Sequence, residues 1–171
     1  MDISDRGCGV GAGDKGGTLT GPDPGDRGKP GSKLPVLSEA RGVPLAVGVP
    51  AANVHDSHAL QPLVKAIPAI RSRRRPRRRR PGKLRAGKAY HSAGTLAWLR
   101  GRRIASRIAR PGIEPAERPG RHRWKTGRSL AWLFRYRRLT VRYERKGSHF
   151  PALPGLAAVL TCYKKLAKLT T

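Results

Sequence analysis

The chain has 171 residues, room for one domain with a modest core. Its 37 Lys and Arg against 10 Asp and Glu leave a formal charge of +27, a field that draws polyanions and makes nucleic acid the expected partner. With no apolar run of roughly 18 residues, no signal-peptide core and two isolated cysteines, Cys8 and Cys162, the sequence excludes a membrane span and a disulfide framework and reads as a reduced, cytoplasmic protein.

Residues 1–31 hold little that could pack. Six of the eleven residues in "GCGVGAGDKGG" are glycine, and "TGPDPGDRGKPGSK" continues as turn chemistry, so this segment is expected to be a poorly ordered loop. From residue 32 to about 168 the pattern is that of a folded domain. Two short apolar runs, Leu34–Leu37 and Pro44–Val49, are joined by "SEARG" and predict a hairpin. Pro35 makes the first strand an edge or a damaged one. "HDSHALQPLVKAI" places Leu60, Leu63, Val64 and Ile67 at helical spacing, with Asp56 or Ser57 as the N-cap. Its histidines, His55 and His58, read as exposed cap neighbours rather than as a metal pair.

Eight arginines crowd the ten positions from Arg71 to Arg80. Such a block repels itself and cannot enter a core, so residues 71–82 are expected to form an exposed basic insertion. A strand at Lys83–Ala86 follows, then a helix in "HSAGTLAWLRGRR" with Leu96 and Leu99 inward, then a β-branched run in "IASRIAR". Past a proline-rich loop, a long helix is predicted from about His122 to Leu139. The last segment, "FPALPGLAAVLTCYKKLAK", is an apolar helix weakened at its start by Pro151 and Pro154. Paired strands followed by strand–helix–strand alternation predict an α/β fold, a mixed sheet with flanking helices.

Several motifs in this order carry a resemblance. "TLTGPDPGDRGKPGSKLPVLSEARGVPLAVGVPAANVHDSHALQPLVKAIP", "KLRAGKAY", "RIARPGIE", "GRHRWKTGRSLAWLFRYRRLTVRYER" and "AAVLTCYKKL" together resemble bacterial insertion-sequence transposases of the DDE type, over roughly residues 18–168. The resemblance implies a ribonuclease H-like catalytic domain, here a C-terminal fragment with its N-terminal strand incomplete. It also implies DNA transposition on a bacterial nucleoid, and association with other copies or with an active transposase. In that family two Asp and one Glu hold Mg²⁺ or Mn²⁺, because phosphodiester attack needs hard anionic oxygens converging on the ions.

Two of those acids are glycine in this chain. The family's second Asp lies in a motif like "ADKAY", where this sequence has Gly87 in "AGKAY"; its Glu lies in a motif like "WKIERS", where this sequence has Gly127 in "WKTGRS". For the first Asp, Asp5 is the better candidate and Asp2 the other. No intact metal site is expected, and hence a chain that has lost strand-transfer chemistry. The alternative is a non-enzymatic basic nucleic-acid-binding protein that competes with an active transposase. DNA phosphate contact is expected from Arg71, Arg73, Arg74, Arg75, Arg77, Arg78, Arg79 and Arg80, with Arg123 and Arg128 on the long helix. Such contacts hold DNA without reading its sequence. Glu144 is expected to pair with neighbouring arginines, and Trp98, Trp124 and Trp132 to serve as core anchors.

Overall fold

The computed structural model describes residues 2–4, 17–25, 27–72, 75–113, 123–140, 143–144, 146 and 149–170; at 2–4, 70–72, 75–78, 123–126 and 169–170 the description is of the backbone alone. Its centre is a mixed sheet of five strands. In chain order the strands of the molecule are β1 (Asp2–Ser4), β2 (Gly21–Pro22), β3 (Pro30–Gly31), β4 (Val36–Ser38), β5 (Pro44–Val47), β6 (Ile70–Ser72), β7 (Arg75–Arg78), β8 (Lys83–Ala86) and β9 (Ala105–Ile108). The main sheet runs β5-β4-β1-β8-β9. β5, β4 and β1 are antiparallel neighbours, whereas β1, β8 and β9 run parallel.

The alternation of side chains across a strand decides the layers. On β4, Leu37 enters one apolar cluster and Val36 the other. Leu37 packs with Leu60, Leu63, Val64 and Ile67 of the α1 region (helix Ser57–Lys65) and with Leu99 of α2 (Ala93–Gly101). Val36 packs with Leu130 and Leu133 of α3 (Arg123–Leu133), Leu139 of α4 (Arg137–Thr140) and Ala157 of α5 (Ala152–Thr170). Two helical layers therefore cover the two faces of one sheet.

The hairpin, the α1 and α2 helices and the β8 and β9 strands lie where the sequence predicts them. Pro35 precedes β4 instead of interrupting it, and its carbonyl accepts from the Gly48 N–H at 3.0 Å. A proline at a strand's entrance costs no ladder bond. Leu99 is fully buried as expected, while Leu96 is half-buried and Thr95 takes the second inward place. Neither Asp56 nor Ser57 caps α1 through its own oxygen. Asp56 pairs with Lys33 at 2.8 Å, and the His55 Nδ1 accepts from the Ser57 N–H at 3.3 Å.

Three expectations are corrected. Within 1–31, expected to be loop, Asp2–Ser4 forms the three-residue middle strand of the main sheet; with one apolar residue in three, only its neighbours β4 and β8 define it. β2 and β3 make a separate two-stranded ladder around the turn at Asp23–Lys29. Within the block at 71–82, β6 and β7 pair as an antiparallel ribbon apart from the main sheet. The predicted helix 122–139 ends at Leu133, turns, and resumes as α4. In an unbroken helix Leu130 and Leu139 would stand about 180° apart, and the turn brings both into one core. Pro154 does not weaken α5. It lies in the first turn, where a missing N–H breaks no helical bond.

Candidate functional site

The parallel pairing of β1 with β8 sets the first candidate position. Asp2 is opposite Arg85 and Ile3 opposite Ala86, so Gly87 follows directly beyond the ladder. Its φ of −70° and ψ of 175° are open to any residue, and its carbonyl accepts from the N–H of buried Tyr90 at 3.2 Å, closing a short 3₁₀ turn. Gly127 lies within α3, which packs across β1 and β4. Two residues on, the buried Ser129 hydroxyl donates to the Gly42 carbonyl at 2.6 Å and fixes α3 to the β4–β5 turn. By the registers of β1 with β4 and with β8, that turn lies at the end of the sheet away from Gly87.

Neither glycine is demanded by space or backbone. A Cβ at Gly87 or at Gly127 would meet nothing within 4 Å. Gly21 differs, because a Cβ there would collide with the Asn53 side chain. Gly42, at φ 85°, has a backbone that favours glycine. Of the two candidate first acids, Asp2 opens β1, while Asp5 lies outside the described residues.

Among the described residues the donors for a metal ion do not fit. Positions 87 and 127 offer no side-chain oxygen, and among the described residues no group of three or more His, Cys, Asp or Glu is placed to hold one. Asp56 is engaged by Lys33, and Glu144 takes the Arg138 guanidinium at 3.0 Å, as the sequence suggested. His55 and His58 are exposed.

Cations dominate instead. In the arginine block, Arg79 and Arg80 are exposed, and Arg80 donates to the Arg102 carbonyl at 3.2 Å. Arg71, Arg75, Arg77 and Arg78 lie on the β6–β7 ribbon with only their backbone described, as does Arg123 on α3; Arg73 and Arg74 lie outside the described residues. Arg128 is exposed and stands 5.9 Å over the Trp132 ring. The Lys165 ammonium approaches the same ring at 3.9 Å, and Lys164 stands 5.5 Å from Tyr136. Trp132 thus carries cations on a half-buried ring, whereas Trp98 packs against the α1/α2 core with Arg102 at 4.8 Å; Trp124 lies among residues with only backbone described. Beside this cluster, Arg137, Arg138, Thr140 and Tyr143 line a cavity of about 510 Å³. Sequence reading overlooked Lys164 and Lys165 and took Trp132 for a core anchor, since the lysines lie about thirty residues from the rings they cover.

The chain matches the family described as "Transposase DDE domain" over residues 6–161. It belongs to the DDE transposase family. It is 39% identical over 149 residues to a Burkholderia cepacia protein named "Putative transposase for insertion sequence element IS402", an alignment covering 87% of this chain and 71% of that protein. No solved structure matches it. As a family, DDE transposases use divalent metals and bind DNA, and it is against that background that the two glycines stand out. The match begins at residue 6, after both candidate first acids. Among the described residues no helix is long and apolar enough to cross a membrane.

Proposed function

We propose that this chain is a DNA-binding transposase homologue that has lost strand cleavage and joining, with Asp2 as the retained acid and Gly87 and Gly127 in place of the other two. The observation that carries the reading is the open direction at both glycines. Each stands where the family motif has a carboxylate, and at each a Cβ would meet no atom within 4 Å. Asp2 is the candidate first acid that lies within the described residues, and it opens β1 opposite Arg85. The sheet order supports a ribonuclease H-like arrangement. Three antiparallel strands followed by two parallel ones put the first strand in the middle, beside the strand that Gly87 follows.

DNA is held, on this reading, through phosphate contacts from the arginine block and from the basic side of α3, including Arg128. These contacts neutralise the backbone and release counterions without reading bases. The chain would act by occupying DNA, or by joining an active transposase, in the bacterial cytoplasm.

The test is Mn²⁺-dependent nicking of DNA bearing the ends of the related element. The chain as it stands is compared with the double variant Gly87→Asp plus Gly127→Glu. No nicking by the former and nicking by the latter is the expected result. Nicking by the unaltered chain would overturn the proposal.

A further inference from the structure

β8 and β9 run parallel and in register, with Lys83 beside Ala105 and Arg85 beside Arg107. Residues in register on neighbouring strands share a face, and faces alternate along each strand. Leu84 and Ala86 pack into the cluster under α1 and α2, so Lys83, Arg85 and Arg107 take the other face, the one on which α3 lies. There α3 covers β1 and β4, and α5 covers β5. Lys83 and Arg107 are exposed and Arg85 is half-buried. Two guanidinium groups therefore spring from strands about 4.8 Å apart, with an ammonium one step along the same row. Like charges directly opposite each other destabilise a sheet. Asp2 of β1 is in register with Arg85 on its other side, one acid beside three cations. Among the described residues neither Arg85 nor Arg107 has a carboxylate partner. Gly87 is the next position on the row beyond Arg85.

We infer that Arg85 and Arg107 form a phosphate site that works without a metal ion, holding one phosphodiester of a DNA backbone between their guanidinium groups beside the vacated position 87. A phosphate placed between the two turns their mutual repulsion into attraction, and each guanidinium offers the planar fork that suits phosphate oxygens. Gly87 belongs to the same device. A carboxylate there, with no ion to neutralise it, would repel a phosphate two positions away and would draw Arg85 to itself. The glycine removes that competitor, so the loss of the acid and the hold on phosphate go together. The inference rests on the reading that the chain binds DNA, and it moves one phosphate from the arginine block and α3 to the sheet face beside Gly87.

Fluorescence anisotropy of a short DNA duplex with the full chain tests it, first in EDTA and then with Mn²⁺. Arg85→Gln and Arg107→Gln should each weaken binding in EDTA, and the double variant should lose less than the sum of the two, because both groups hold the same phosphate. The double variant should also lower the slope of log affinity against log salt by about 0.9, the share of one phosphate. Gly87→Asp alone should weaken binding in EDTA. Without DNA, the double variant should melt about 1–3 °C higher than the unaltered chain, since the like-charged pair is relieved. Additive losses, as in a plain polycation, would overturn the inference and leave DNA binding itself standing. So would an unchanged slope, a lower melting temperature, binding that requires Mn²⁺, or binding that Gly87→Asp leaves as tight. A chain that binds no duplex under either condition would overturn the DNA-binding reading as well.

Discussion

Restoring the missing carboxylates is expected to stabilise the protein before any chemistry is considered. Gly127 is the fifth of eleven residues in α3, with open space where a Cβ would stand. An interior helical glycine costs about 1 kcal/mol relative to alanine, and glutamate recovers most of it, so Gly127→Glu should gain about 0.5–1 kcal/mol. Gly87 precedes the turn Lys88–Tyr90 with an extended backbone, a cap position where aspartate is worth a few tenths of a kcal/mol over glycine. Together the two changes should raise the melting temperature by about 2–4 °C in a chain of this size. The assay is thermal unfolding followed by circular dichroism, in a metal-free buffer. A loss of more than about 1 kcal/mol would mean that the sites are not open and would refute the reading of them as former ligand positions.

Mn²⁺ then separates ligand positions from ordinary surface. The double variant should gain stability with Mn²⁺, by about 2.7 kcal/mol at a hundredfold excess over its dissociation constant, and the unaltered chain should not. Adding Asp2→Ala to the double variant should abolish the response. If the response survives, Asp2 is not the third acid.

Ser129→Ala leaves the buried Gly42 carbonyl without the Ser129 hydroxyl and should cost about 1–3 kcal/mol in urea unfolding. A cost near zero would mean that this hydrogen bond does not anchor α3. Replacing the eight arginines of 71–80 with glutamine should flatten the dependence of log affinity for DNA on log salt, read by fluorescence anisotropy, by about 0.9 for each phosphate that is no longer neutralised. An unchanged slope would place the phosphate-binding cations elsewhere. Burial pushes the Cys162 thiol up, so in a Cys8→Ser background its alkylation at mildly alkaline pH should be slower when folded than in urea. The folded state holds that proton to higher pH than the unfolded state. The resulting stability is therefore complete below the ordinary thiol range and lost as pH rises through it.

Sequence alone located the elements that carry a clear period. The α1 helix shows four apolar residues at helical spacing, and all four are buried. The β4–β5 hairpin is marked by two apolar runs around a turn that Glu39 holds, its Oε1 accepting from the Arg41 N–H at 2.7 Å and the Val43 N–H at 3.3 Å. β1 escaped because "DIS" has no period to read; pairing on both sides makes it a strand. The break after Leu133 escaped for a related reason. Local propensity favours continuing the helix, and only the shared core of Leu130, Leu133 and Leu139 favours turning. The candidate positions 87 and 127 rest on family motifs rather than periodicity, whereas the open space at each glycine belongs to the structure.

The charge distribution bears on where DNA would be held. Arginines 79, 80, 128, 135, 137 and 138 are exposed, whereas Leu156, Val159, Tyr163 and Leu166 of α5 face solvent without charge. Two of the α5 lysines lie over Trp132 and Tyr136, where a cation gains from the ring and shields it. Raising salt weakens a hold on phosphate, so an affinity for DNA indifferent to salt would show that these cations do not contact the backbone.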